Sequence, residues 1–220
     1  LQGTDAAGNI GSLAVSIKVL QSDVVPPVIT GDELPEIPEN TLLVGQYTAD
    51  EEVSWTLSGE DAGLFTVSTT GELSLSTDAD FELPGDADAN NIYLLTITAT
   101  DGQGNFSDLS LMVAITDAND NTPEIVDPGS VSVDENSVVG TLVVGLTATD
   151  ADTGSAFAWS LGTGNVDVDG DGSAPFVIDA ISGELTVNDP DDLDYESGTI
   201  SFSLQVIVED GANAQGVTVF

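Results

Sequence analysis

The chain has no cysteine, no histidine and, apart from Lys18, no basic side chain. Without cysteine it can form neither a disulfide framework nor a thiolate metal site. Without His, Cys or Arg it lacks the usual general base, nucleophile and anion clamp of enzymes. Paired carboxylates, as in glycosidases, are then the only catalytic chemistry on offer, and the chain reads as a non-enzyme. The shortage of Lys and Arg also argues against nucleic acid and anionic membrane surfaces, which both attract proteins through those residues. Apolar runs long enough to cross a bilayer, about 18 residues, are missing, so no direct membrane insertion is expected. Leu1 opens no charged-then-apolar leader, and the chain reads as an internal piece of a longer one.

What the chain has in abundance is acid: 39 Asp and Glu, for a formal net charge of -38. With so few cations there can be no salt-bridge network, so these carboxylates must be spread in solvent, screened by salt or neutralised by metal. Calcium suits them best, because it accepts about six to eight oxygen ligands in flexible cages where magnesium competes poorly. Extreme acidity, missing thiols and richness in Thr and Gly lean towards an extracellular protein, on a bacterial cell surface.

The 220 residues can hold two sandwich domains of about 100 residues each. Apolar residues alternate with polar ones in short Val-, Ile-, Thr- and Leu-rich runs broken by Gly, Asp, Asn and Pro, an all-β pattern. The clearest runs are 93–100, 109–115, 140–148 and 202–208. A set of landmarks also occurs twice in the same order. The first copy has Glu39-Asn40, Asp50, Trp55, Gly71-Glu72-Leu73, Asp80-Phe81-Glu82 and Asp101-Gly102. The second has Glu135-Asn136, Asp150, Trp159, Gly183-Glu184-Leu185, Asp194-Tyr195-Glu196 and Asp210-Gly211. A partial third copy leads the chain, where Thr4-Asp5-Ala6-Ala7-Gly8-Asn9 mirrors Thr100-Asp101-Gly102-Gln103-Gly104-Asn105. The expected division is therefore 1–22 as trailing strands of a preceding repeat, 23–119 as a first repeat and 120–220 as a second, its last strand incomplete.

The segment Asp117-Ala118-Asn119-Asp120-Asn121-Thr122-Pro123 resembles the linker between cadherin repeats, Asp-x-Asn-Asp-Asn-x-Pro. The Glu-Asn pairs, Asp150-Ala151-Asp152 as an Asp-x-Asp motif, and Asp80-Phe81-Glu82 in place of the family's Asp-Arg-Glu follow in the family's order, over about residues 27–220. The resemblance implies tandem seven-stranded Greek-key β-sandwiches, cadherin- or Ig-like, with about three calcium ions at the linker. By the same resemblance Glu39, Asp80, Glu82, Asp117 and Asp120, with the carbonyl of Ala118, would hold two ions. Asn119, Asp150, Asp152 and Asp210, with the carbonyl of Asn121, would hold the third. Their eight carboxylates carry about eight negative charges against about six positive ones, and each bare pair at 4 Å repels by about 1 kcal/mol in water and several times more at lower dielectric.

Three departures or additions stand out. The preceding linker, 21–27, keeps almost none of these ligands, so no full cluster is expected there. Glu135, Asp194 and Glu196 form half a site towards a next repeat. The second copy alone carries Asp167-Val168-Asp169-Gly170-Asp171-Gly172, in which Asp167, Asp169 and Asp171 match the first half of a calcium loop, although Ile178 stands where the twelfth-position Glu belongs. The competing reading of that loop is a solvated acidic insertion. Trp55 and Trp159 fall on inward-facing strand positions and read as core anchors, which disfavours a sugar-stacking role. The functional expectation is a calcium-dependent extracellular structural or adhesion module. It would be a rigid spacer in a large membrane-anchored surface adhesin or cell-cell contact protein, whose partners are neighbouring repeats and, in addition, a homophilic protein contact or a glycan. A carbohydrate-binding module is the alternative.

Overall fold

The computed structural model describes the chain apart from residues 1, 19–22, 197, 199–200, 212–214 and 220; of 215–219 only the backbone is described. Among the described residues the fold is all β, with one short 3₁₀ turn, Ala62–Leu64. Two compact units emerge from the contacts. The first comprises Leu1–Pro35, Leu42–Thr77 and Ile92–Ala114; the second comprises Glu36–Thr41, Asp78–Asn91 and Ile115–Phe220.

In the first unit, β1 (Gln2–Thr4) and β2 (Ile10–Ser12) form an antiparallel hairpin. Its turn repeats the chemistry of the 101–105 turn. Asp5 Oδ1 accepts the N–H groups of Ala7 and Asn9 while Oδ2 accepts from Asn9 Nδ2. Asp101 does the same with Gln103 and Asn105. The similarity of the two segments thus extends from sequence to hydrogen bonding. The apolar-alternating segment after this hairpin, within the 1–22 stretch read as trailing strands, would as a last strand run from Gly11 to Leu20. The strand ends at Ser12, residues 13–18 join no ladder among the described residues, and Val19 and Leu20 lie outside them.

The sandwich of this unit has β3 (Ile29–Thr30) paired with β6 (Thr48–Ala49), and β5 (Leu43–Gln46) paired with β9 (Glu72–Leu75), which also pairs β8 (Phe65–Val67). Opposite them, β10 (Ile92–Asp101) lies between β7 (Val53–Ser58) and β11 (Phe106–Thr116). Alternation along β10 buries Tyr93, Leu95, Ile97 and Ala99 on one face, and each such side chain stabilises the sandwich by about 1.5–3 kcal/mol for the larger ones. Phe65 stands edge-on to Tyr93 with ring centroids 5.7 Å apart. Trp55 points inward as its phase requires, although it is only half-buried.

The second unit carries β4 (Glu36–Pro38) and repeats the sandwich frame. β12 (Glu124–Ile125) pairs β14 (Ala148–Thr149), β13 (Leu142–Gly145) pairs β17 (Glu184–Val187), and β17 pairs β16 (Phe176–Ile178). On the facing side β18 (Gln205–Glu209) lies between β15 (Ala158–Leu161) and β19 (Gln215–Val219). Trp159, Leu146, Ile125, Val206 and Val208 form one core cluster; Phe176, Leu185, Val187, Leu193 and Leu204 form another. Phe202 and Leu204 pack inward but precede the ladder, which begins at Gln205, so this strand is shorter than its apolar run.

The two copies share their irregularities. The register shifts between Leu43 and Gly45 in one and between Leu142 and Val144 in the other. In each, the strand then breaks at a buried residue whose N–H leaves the ladder for a glycine carbonyl, Tyr47 to Gly71 (2.8 Å) and Leu146 to Gly183 (3.0 Å). This is why 140–148 divides into two strands. Both glycines have positive φ and lie against a backbone carbonyl and a tryptophan. An added Cβ at Gly71 would stand 2.1 Å from the Tyr47 oxygen at φ +83°. Gly71→Ala is therefore expected to cost about 2 kcal/mol or more, read as a lower urea midpoint. Gly102→Ala, with nothing within 4 Å of its Cβ, is the control, expected to change stability by no more than about 0.5 kcal/mol.

Candidate metal centre

The second unit brings Glu36–Thr41, Asp78–Asn91 and the linker together with 120–220, and the carboxylates singled out in the sequence meet within it. Glu39 follows β4 and is nearly fully buried. Its Oε2 accepts from Phe81 N–H (2.7 Å) and its Oε1 from Ala118 N–H (2.9 Å), so one carboxylate fixes both the Asp80–Glu82 loop and the linker. Asn40 takes a left-handed conformation, φ 58°, as Asn136 does at φ 57° in the second copy. A short polar side chain tolerates that turn, which explains the Asn of the Glu-Asn pair. Asn40 also donates from Nδ2 to Asp120 Oδ2.

Three overlapping sets of oxygens result, each lying within 4.8 Å of one another: Glu39, Glu82 and Asp120; Glu82, Asp117 and Asp152; Asp150, Asp152 and Asp210. Asp152, expected beside the third ion alone, sits in two of the sets. It accepts from both the backbone N–H (2.9 Å) and the side-chain amide (2.7 Å) of Asn121, while its own N–H donates to Asp150 Oδ1 (3.0 Å). Asp117 Oδ2 accepts from the backbone and hydroxyl of Thr153. Asp80 lies exposed on the same loop as Glu82, its Oδ1 accepting Leu83 N–H (2.9 Å). The Thr153 and Asn40 side chains and the Asn121 amide were not anticipated as partners. Only the repetition of Glu-Asn in both copies hinted at one of them.

Several donors are nevertheless missing. Among the described residues, Glu82 Oε1, Asp117 Oδ1 and Asp150 Oδ2 are buried and have no hydrogen-bond partner. Asn119 Oδ1 lies 2.8 Å from Asp210 Oδ2 and 3.2 Å from Asp152 Oδ2, an acceptor facing acceptors unless the amide is reversed. Buried carboxylate oxygens without donors are costly, and the chain has only Lys18 as a basic side chain. All-oxygen donors converging from several segments are the chemistry that calcium takes, so these residues fit that ion.

Away from the linker, Glu135, Asp194 and Glu196 also bring oxygens within 4.8 Å, all exposed, with Glu135 Oε2 accepting Tyr195 N–H (3.0 Å). In the first unit Asp23, Glu51 and Asp101 form a similar set. The acidic residue of the otherwise stripped linker therefore faces the Asp50-Glu51-Glu52 turn; Gln21 and Ser22 lie outside the described residues.

Burial, together with repulsion from Glu39 and Asp117, holds the Glu82 carboxyl above its ordinary value. A raised value favours the metal-free fold below the unfolded pKa, and that benefit is lost as pH rises through the folded one; calcium needs the group ionised. Calcium affinity is accordingly expected to fall about tenfold or more from about pH 7 to about pH 4 by titration calorimetry. Glu82→Gln should bind more weakly at neutral pH and show a flatter pH profile.

Comparison with known proteins points the same way as the geometry. The cadherin domain model matches residues 129–219. Human Protocadherin Fat 1 is 36% identical over 165 residues, covering 69% of this chain and 4% of that protein. Neural-cadherin of Drosophila melanogaster is 36% identical over 133 residues, covering 54% of the chain and 4% of its own length. The chain thus spans only a small fraction of these relatives. Among solved structures, human Protocadherin-24 EC1-2 superposes with TM-score 0.71 at 22% identity over 89% of this chain and 93% of that one. Drosophila N-cadherin EC1-4 gives 0.64 at 25% identity over 89% and 48%. The carboxylate-lined linker, the doubled sandwich frame and these similarities identify the chain as a member of the cadherin repeat family.

Proposed function

We propose that the chain is a calcium-dependent extracellular spacer and adhesion module within a longer cell-surface protein. The observation that carries this reading is the run of overlapping carboxylate sets at the linker, with buried oxygens that lack donors. Glu39, Asp80, Glu82, Asp117 and Asp120, with the Ala118 carbonyl, hold two ions. Asn119, Asp150, Asp152 and Asp210, with the Asn121 carbonyl, hold the third, and Asp152 serves the middle ion as well. The bound calcium supplies positive charge that the chain lacks. The chain's own part is to place ligands from 23–119 and from 120–220, the proposed first and second repeats, around the same ions, so that filling the sites restrains the two repeats against each other. Extracellular calcium modules bind with dissociation constants on the order of 0.1 to 1 mM, so they are filled outside the cell and empty in the cytosol.

The relatives described above are proteins of human and fly, and a cell-cell contact protein of that kind stands beside the bacterial surface adhesin that composition suggested. Neighbouring repeats are the first partners, and a homophilic contact the second. The glycan-binding alternative gains nothing from the tryptophans: Trp159 is buried and Trp55 half-buried in the sandwiches.

Calcium titration with small-angle scattering tests the proposal. Saturation is expected to bind about three ions at the linker, to narrow the distribution of end-to-end distances and to raise the thermal midpoint by several degrees. An Asp150→Asn/Asp152→Asn variant should lose the stiffening. Scattering curves that are the same with calcium and with chelator would refute the spacer role.

A further inference from the structure

We propose that the Asp167–Gly172 loop, closed onto Asp189 and Asp192, is a separate calcium site inside the second sandwich. It goes beyond the linker reading and shares no residue with it. The sequence offers the alternating acids and closing glycine of a calcium loop but puts Ile178 at the twelfth position. Ile178 belongs to β16 and packs against the core, so it supplies no ligand. The structure supplies two carboxylates in its place from the turn after β17.

Asp192 is the decisive residue. It is 2% exposed, and its Oδ1 accepts from the N–H groups of Val168 (2.6 Å) and Asp169 (3.0 Å). The loop backbone is thereby tied to this carboxylate, and the second oxygen on the same carbon is held at the loop. That oxygen, Oδ2, is buried and has no hydrogen-bond partner among the described residues. An ionised carboxylate oxygen in that position bears the desolvation penalty with nothing to offset it.

Around it the remaining acids are arranged to present oxygens. Asp167 accepts from Gly170 N–H (2.6 Å) and Gly172 N–H (2.8 Å), which curls the loop. Asp169, Asp171 and Asp189 each accept, at Oδ1, the N–H two residues ahead, so each holds its second oxygen in a fixed direction. Asp189 is itself buried, at 7% exposure. Asp169 feels repulsion from Asp171, Asp189 and Asp192 at once. Asp189 feels the same from Asp171, Asp192 and Asp191. These carboxylates therefore crowd one another, and Lys18, the single basic side chain, lies in the other unit. A divalent cation that accepts many oxygens at loosely fixed angles is the partner such a set takes, which selects calcium over magnesium.

The first copy has nothing comparable. Its corresponding turn is the short 3₁₀ segment Ala62–Leu64, where Asp61 accepts Leu94 N–H (2.7 Å). The site would thus belong to one repeat, pinning a loop on its flank.

The test is a calcium titration of the isotopically labelled chain, with the Gly170 and Gly172 amide resonances reporting on the loop and native mass spectrometry counting bound ions. Three proteins are compared: wild type, Asp169→Asn/Asp171→Asn, and Asp150→Asn/Asp152→Asn. The first double variant alters exposed residues and keeps an oxygen for each local turn, so it is expected to fold. In the wild type the two glycine amides should shift and saturate. In Asp169→Asn/Asp171→Asn their response should require at least tenfold more calcium, and one fewer ion should be bound. In Asp150→Asn/Asp152→Asn the loop response should persist unchanged while ions at the linker are lost. A saturating loop response with no ions at the linker would refute the linker reading and leave this one standing. Glycine amides that drift linearly without saturating, as from a counter-ion atmosphere, or a loop variant that binds as many ions as wild type, would overturn the loop site.

Discussion

Carboxylates pressed together without cations are the constraint around which this protein is organised. A chain with 39 acidic side chains and one Lys settles a carboxylate internally by aiming N–H or O–H donors at it, and an oxygen that no donor meets stays open to a cation. The acids of this chain divide between these two conditions. Asp5, Asp167 and Asp179 are ringed by local amide donors that hold their carboxyls below the ordinary value. These are turn-forming acids whose charge is satisfied within a few residues of chain. Glu82, Asp117, Asp150 and Asp192 instead keep a buried oxygen with no donor among the described residues. The contrast separates acids whose oxygens are met by local donors from acids that keep a buried oxygen unmet, and it does so without reference to any relative.

Much of this was legible in the sequence, for identifiable reasons. The sandwich frame follows from period-two alternation, and β10 shows it in a clean succession of buried Tyr93, Leu95, Ile97 and Ala99. The linker acids could be grouped because the Asp117–Asn121 segment, Glu39 and the Asp150–Asp152 turn each have a counterpart in a known pattern. Less visible were partners that act through geometry. Thr153 holds Asp117 by two hydrogen bonds and Asn40 holds Asp120 by one, and apart from the repeated Glu-Asn pair nothing in the sequence marks them. Asp189 and Asp192 lie far along the chain from the loop they meet, so only the tertiary fold could join them to Asp167–Gly172. The Asp23, Glu51 and Asp101 set was similarly hidden, since the linker around Asp23 had lost its neighbours' pattern while the side-chain contact survived.

The landmarks repeated between copies turn out to be of two kinds. Glu39 and Glu135 each accept the backbone N–H of the residue after the Asp80 or Asp194 landmark or its equivalent, at Phe81 and Tyr195. Asn40 and Asn136, Gly71 and Gly183 are repeated because the backbone requires a left-handed residue there. Self-similarity in this chain therefore encodes backbone shape as well as hydrogen-bond partners, and a substitution at either kind of position damages the module by a different route.

One shared irregularity reaches further. β5 and β13 each flank the end of a three-stranded sheet and each slip register within their first residues. A strand with a residue out of step kinks and twists, and it offers a poor template for a straight newcomer. In a chain that carries the same sandwich frame twice, that small misfit works against cross-pairing between the copies as they fold, so each copy closes on itself.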